Sequence, residues 1–263
     1  MMQPPIFEVA AVTHRGLVRS QNEDCVAIDR KILTPDTATP WIGKFTDRRH
    51  IFIVADGMGG HTHGALASRT AVEALVASPK ALFEIESCLE AVLAANVKLY
   101  DMMHRIPGTF GMGTTVVGVA FDTEAMIYFN VGDSRGYCQS GAKLTQLTID
   151  DVPIAAAGKN FRGRVSHQIT QSLGGQLMPK SISPHIGLRS ALVPGEITLL
   201  CSDGLTDLVS DEEIETTLNR SSDDLGSCAS QLLSRALRAG GTDNISLILI
   251  RARATSNRRW TAG

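Results

Sequence analysis

The sequence predicts an α+β fold in which antiparallel sheets carry helices on their outer sides. Three observations support this class. Short runs rich in Val, Ile, Phe and Thr, bounded by Gly, Asp or Pro, recur along the 263 residues. Helical patterns come in pairs rather than alternating with strands, which argues against a doubly wound parallel sheet. The runs 114–121 and 125–131 have no helix between them and read as a hairpin.

The first strands are expected at 6–13, 25–29 and 51–55, followed by helices at 64–77 and 84–104. In the second helix Ile85, Leu89, Val92, Leu93, Val97 and Tyr100 recur at the i, i+3, i+4 spacing of one apolar stripe. Strands return at 114–121, 125–131, 135–139 and 197–202. Ser210 followed by Glu213 is a capping box, which starts a helix over 211–219. The next helix, 222–238, has its stripe at Leu225, Cys228, Leu232, Ala236 and Leu237 and ends at Gly240-Gly241. A last strand spans 245–251. Segments 31–50 and 148–190 hold much of the Pro, Gly and polar content. The first reads as an inserted loop and the second as a mobile flap beside the site. A single domain over 1–252 and a frayed tail over 253–263 are expected, with no internal repeat.

Composition is that of an ordinary globular protein, 43% hydrophobic and 20% charged. A formal net charge of -2 leaves no basic footprint for nucleic acid or an anionic membrane. No apolar run approaches the ~18 to 20 residues that span a bilayer, and Met1 to Pro5 lacks the parts of a signal peptide. The five cysteines are scattered without a C-x-x-C, which suits a reducing cytoplasm.

The chemistry lies in acidic residues at the ends of apolar runs. Ile51 to Ala55 leads into Asp56-Gly57, Ile197 to Cys201 through Ser202 into Asp203-Gly204, and Ala125 to Val131 into Gly132-Asp133. In the opposite sense, Asn22-Glu23-Asp24 precedes Cys25 to Ile28, and Thr242-Asp243-Asn244 precedes Ile245 to Ile250. Antiparallel pairing places strand exits beside strand entrances, so these carboxylates can meet at one sheet edge. Such a group calls for a cation, because like charges at close range raise one another's pKa. All-oxygen ligands point to Mg²⁺ or Mn²⁺. Asp56, central in the series, is the candidate to bridge two ions, and the glycines after Asp56 and Asp203 let main-chain carbonyls approach an ion. The bland alternative for each Asp-Gly alone is a turn; their joint placement favours the site.

Arg19-Ser20-Gln21-Asn22-Glu23-Asp24 and Val54-Ala55-Asp56-Gly57-Met58-Gly59-Gly60-His61 resemble the opening motifs of the metal-dependent, type 2C (PPM-type) protein serine/threonine phosphatases, in their bacterial form. Gly111 to Thr115, Val131 to Arg135, Cys201 to Asp207 and Gly241 to Asn244 follow in the family's order, so the resemblance covers about residues 10–251. It implies a four-layer α-β-β-α sandwich of two central antiparallel sheets flanked by helix pairs. It also implies roles. Asp56, Asp203 and Asp243 would hold a first Mn²⁺ or Mg²⁺; Glu23, Asp56 and the Gly57 carbonyl a second; Asp133 with Asp203 a weaker third. Arg19 matches the phosphate-binding arginine, whose guanidinium clamps two oxygens. Asp24 would orient a metal-bound water from the outer shell. Asp207 is expected to cap a turn, Asn244 to orient Asp243 or bond nearby backbone, and Thr114 and Thr115 to be buried strand residues.

The chain departs from the family at three places. Met58 stands where several relatives have a histidine. After Leu144-Thr145, where an Asp-His pair is common, this chain has Asp150-Asp151, and Gln171 precedes Ser172-Leu173-Gly174 where an arginine is frequent. That histidine is a candidate general acid, so with Met58 leaving-group protonation falls to a metal-bound water or another residue; the other two differences bear on substrate preference rather than the metal centre. His61 and His63 form an isolated H-x-H with no further zinc partner. The expected activity is hydrolysis of phosphoserine and phosphothreonine by direct attack of a metal-bridging water, in a cytoplasmic monomer whose partners are phosphoproteins and a cognate Ser/Thr kinase. Two rivals are a narrow-specificity phosphatase of a partner-switching system and an inactive phosphoprotein-binding member.

Overall fold

The computed structural model describes residues 6–33, 36, 39–59, 63–153, 168–220 and 223–253. The chain begins with strands β1 (Ile6–His14), β2 (Cys25–Ile28), β3 (Lys31–Ile32), β4 (Trp41–Phe45), β5 (His50–Ala55) and β6 (Gly57–Met58). Helices α1 (His63–Ala77) and α2 (Ile85–Arg105) follow, joined through a 3-10 turn at Pro79–Phe83. Then come β7 (Gly113–Thr114), β8 (Val116–Phe121), β9 (Ala125–Val131), β10 (Arg135–Ser140) and β11 (Lys143–Gln146). The short β12 (Leu173–Gly174) precedes β13 (His185–Ser190) and β14 (Ile197–Cys201). Helices α3 (Asp203–Thr206), α4 (Asp211–Arg220) and α5 (Leu225–Arg238) lead to the final β15 (Ile245–Arg253).

Two six-stranded antiparallel sheets form the centre, ordered β11-β10-β14-β15-β1-β4 and β13-β9-β8-β5-β2-β3. A small sheet, β12-β7-β6, sits beside them. The central strands are buried on both faces, so they read as continuous apolar runs rather than as alternation. Along β1, Val9 and Ala11 point between the sheets, with Phe52, Val117 and Ile248. Ala10 and Val12 point outward against Leu218, Cys228 and Leu232 of α4 and α5. On the other outer face α1 and α2 cover Ile53, Ala120 and Phe129. The expected four-layer α-β-β-α sandwich is the observed one.

The hairpin of β8 and β9 is present, with Val119 opposite Tyr128. The capping box closes in both directions: Ser210 N–H donates to Glu213 Oε2 at 3.1 Å, and Glu213 N–H to Ser210 Oγ at 3.3 Å. Gly241 N–H returns to Ala236 O and ends α5.

Four expectations need correction. The stripe on α2 is rotated: its buried face is Cys88, Val92, Ala95, Leu99 and Met103, while Ile85, Leu89 and Val97 are exposed. Small residues let α2 lie close to its neighbours, and a search for large apolar side chains passes over them. Segment 31–50 is not an inserted loop, since it contains β3 and the edge strand β4. Within 148–190, β12 and β13 are regular strands; 154–167 lie outside the described residues, as do His61 and 254–263. The last strand runs through Arg253, one residue into the expected tail.

Candidate metal centre

The acidic residues meet at one end of the sandwich. Register does this directly: Cys25 pairs with Ala55, so Asp24 and Asp56 leave neighbouring strands side by side. Cys201 pairs with Leu247, bringing the Asp203 and Asp243 ends together in the other sheet. The result is a cleft of about 510 Å³ lined by Glu23, Asp56, Asp133, Asp203 and Asp243. Arg19, Gly57 and Met58 also line it. Both sheets contribute: Glu23 and Asp56 lie at strand ends of one, Asp203 and Asp243 at ends of the other, and Asp133 on the turn from β9 to β10 that joins them.

Glycines make the approach possible. A Cβ on Gly57 would strike the Gly64 carbonyl and lie 2.6 Å from Glu23 O. A Cβ on Gly64, in the first turn of α1, would lie 2.8 Å from the Glu23 carboxylate. A Cβ on Gly204 would run into Asn244 O.

The main chain around the acids is fixed by buried polar side chains. Thr114 Oγ1 donates to Asp56 O at 2.8 Å, and Thr115 N–H to the same carbonyl at 2.9 Å. Asp56 N–H donates to Thr115 Oγ1 at 3.2 Å. Both threonines are buried as expected, though only Thr114 lies in a strand, and both also brace Asp56. Thr115 interrupts the run 114–121, which divides into β7 and β8 there. Asn244 Oδ1 accepts from Glu23 N–H at 2.7 Å, while Nδ2 donates to the carbonyls of Gln21 (2.9 Å) and Arg15 (3.0 Å). Asn244 therefore bonds neighbouring backbone, one of its two expected roles. Asp207 closes the α3 turn with its N–H on Asp203 O at 2.8 Å.

Arg19 donates from Nη2 to Asp243 Oδ2 at 2.6 Å, and its side chain is 54% exposed. Asp24 does not line the cleft. It is buried behind it and accepts from Ser202 Oγ at 2.9 Å on Oδ2. Burial pushes its carboxyl up to about 7, against the opposing pull of the Ser246 and Ser202 hydroxyls. The Asp56 carboxyl is raised well above the usual range by burial, and then by the charges of Asp24, Asp203, Asp243 and Asp133. Asp203 is raised by burial and by Asp133, Asp207 and Asp243. Asp203 Oδ1 is buried with no hydrogen-bond partner.

Among the described residues, no three His, Cys, Asp or Glu side chains already form a tight ligand cage. The donor set nevertheless fits a hard divalent cation: oxygens only, mutually repelling charges, and a buried oxygen of Asp203 without a donor.

Several contributors had no signal of their own in the sequence. Ser202 holds Asp24, and Ile169 lines the cleft. Asp150 is paired with Arg135 (2.7 Å) rather than placed at the cleft, and Asp151 bonds Gly132, Gln171 and His185. No helix among the described residues is long and apolar enough to cross a membrane.

The model of the protein phosphatase 2C family matches residues 35–238. The chain is 31% identical to serine/threonine protein phosphatase PstP of Mycobacterium tuberculosis over 93% of its length, and spans 45% of that protein. It is 31% identical to serine/threonine phosphatase stp of Listeria monocytogenes, covering 94% of this chain and 96% of the relative. Among solved structures, the PstP catalytic domain in complex with two manganese ions is similar at TM-score 0.75 and 32% identity, covering 95% of this chain and 99% of that one. The Streptococcus agalactiae serine/threonine phosphatase is similar at TM-score 0.76 and 26% identity, covering 93% and 99%. With its motifs in order, its sandwich superposing and its sequence matched from end to end of the fold, this chain belongs to the protein phosphatase 2C family.

Proposed function

We propose that this chain is a Mn²⁺- or Mg²⁺-dependent protein serine/threonine phosphatase. The observation that carries the reading is the convergence of five carboxylates, from both sheets, on one cleft beside an arginine. The proposed ligands are Asp56, Asp203 and Asp243 for one ion, and Glu23, Asp56 and the Gly57 carbonyl for a second. Asp133 with Asp203 is proposed for a weaker third. Bound cations of this kind lower the pKa of water and draw charge off phosphoryl oxygens.

The protein's own groups do the rest. Arg19 has five N–H donors and spends one on Asp243, leaving a fork to orient the phosphate and to neutralise its equatorial oxygens. Thr114, Thr115 and Asn244 hold the Asp56 and Glu23 main chain rigid, so that the acids are in place before substrate binds. Asp24, held by Ser202 behind the cleft wall, adds to the negative charge that a cation at Asp56 would offset. Phosphoproteins are the proposed substrates, an opposing Ser/Thr kinase the proposed partner, and a cytoplasmic monomer the proposed state.

The test is phosphate release from a phosphothreonine peptide in Mn²⁺, in excess EDTA, and by Asp243→Asn. Activity should need the metal and collapse in the variant. Turnover that survives EDTA, or that survives the substitution, refutes the reading.

A further inference from the structure

The turn that carries Asp133 is gripped from two sides. On one side is Thr115, whose hydroxyl lies 2.7 Å from Ser134 Oγ and whose N–H is bonded to Asp56 O. Gly132, at φ +99°, lies flush against it; a Cβ there would be 2.7 Å from Thr115 Cγ2. Gly132 has no side chain to pack, so something else must set where the turn stands.

That something is Asp151, which is 7% exposed. Its N–H donates to Gly132 O at 3.0 Å, and its Oδ2 accepts from Gly132 N–H at 2.8 Å. Both main-chain groups of the residue before Asp133 are therefore held by one amino acid. Its Oδ1 accepts from Gln171 Nε2 at 2.8 Å and from His185 Nε2 at 2.9 Å, and its carbonyl accepts from Thr170 N–H at 2.8 Å. Three side-chain-directed donors converge on two carboxylate oxygens. An amide has only one acceptor oxygen and cannot serve them all.

We propose that Asp151 is a positioning residue, which ties β13 and the approach to β12 to the Asp133 turn and so sets where that carboxylate stands relative to Asp56. The inference rests on the reading of Asp133 as a site carboxylate. The path is continuous through hydrogen bonds and the Gly132-Asp133-Ser134 main chain: Gln171 and His185 to Asp151, Asp151 to Gly132, along the turn to Ser134, Ser134 to Thr115, Thr115 to Asp56.

Asp151→Asn tests it with two kinds of readout. Amide hydrogen exchange of metal-free protein should quicken about tenfold or more at Gly132 and its neighbours, the loss of one charge-assisted bond. Exchange at Ser246, in the other sheet, should not change. In Mn²⁺ calorimetry and phosphopeptide kinetics, the effect of Asp151→Asn should disappear in an Asp133→Asn background. If Asp151→Asn does not fold, His185→Ala removes one partner from the same carboxylate and should act in the same direction. Unchanged exchange at the turn overturns the proposal, and so does an Asp151→Asn effect that multiplies onto that of Asp133→Asn. A wild-type protein that neither binds Mn²⁺ nor releases phosphate sinks the phosphatase reading instead, and the exchange arm still decides the role of Asp151.

Discussion

Asn244 is the residue on which removal of a few atoms should cost most. Its side chain makes three hydrogen bonds, to Glu23 N–H, Gln21 O and Arg15 O, and the residue is 4% exposed. Asn244→Ala deletes all three and leaves their partners without a replacement in the protein. At ~1 kcal/mol net for each bond, the loss is about 3 kcal/mol. For a domain of this size each kcal/mol lowers Tm by roughly 2–4 °C, so a fall of about 6–12 °C is expected. The loss is not spread evenly. All three bonds go to the loop that carries Arg19 and Glu23, so the Mn²⁺ concentration needed for half-maximal activity should rise in the same variant. Asn244→Asp should be at least as damaging, because it aims a carboxylate oxygen at two carbonyls. Differential scanning calorimetry and a Mn²⁺ titration of phosphopeptide hydrolysis measure both effects. A variant with unchanged Tm and unchanged metal dependence would refute the idea that this amide organises the site.

Two other expectations follow from charge. Asp56 is raised by burial and by four neighbouring carboxylates, so its ionised form is disfavoured in the folded state. Asp56→Asn should therefore raise the Tm of metal-free protein while lowering phosphatase activity about 10²-fold or more; calorimetry in EDTA beside a kinetic assay checks the pair, and a lower Tm contradicts the first half. At the other end of the molecule, partial burial pushes Glu8 up, but Arg253, Arg251 and Lys44 outweigh it and hold the carboxyl at about 2, from 4.5. A depressed acid contributes stability that is complete above its unfolded pKa and is lost as pH falls from about 4.5 towards 2. Glu8→Gln should flatten the stability profile in that window, as read by urea unfolding at a series of pH values.

The acidic strand ends were legible because each follows or precedes a run buried on both faces, and such runs announce themselves by composition alone. The element order of the sandwich followed for the same reason. Trp41–Phe45 and His185–Ser190 were not legible. Both are edge strands with partly exposed side chains, and each exists because of a distant partner, β1 for one and β9 for the other. The buried face of α2 was hidden for a related reason, since Cys88 and Ala95 are buried by the closeness of neighbouring elements rather than by their own hydrophobicity. Within the site, the acids stood out and their supports did not. Ser202 acts through a hydrogen bond to the Asp24 carboxylate, and Thr115 and Asp151 through bonds to main chain distant in sequence, and no local pattern reports such bonds.

The cleft is assembled from the ends of two sheets that pack on each other through a layer including Phe7, Phe52, Phe121 and Ile248. Asp203 and Asp243 ride on one sheet and Glu23 and Asp56 on the other, with Asp133 on the turn that joins them. The spacing of the acids is thus a gauge of how the two sheets are seated. A side chain trimmed or enlarged in that middle layer lets one sheet slide on the other and pulls the two halves of the cleft out of alignment. Substitutions deep in the interior, with no atom near the cleft, therefore belong among the determinants of how well this protein binds its cations.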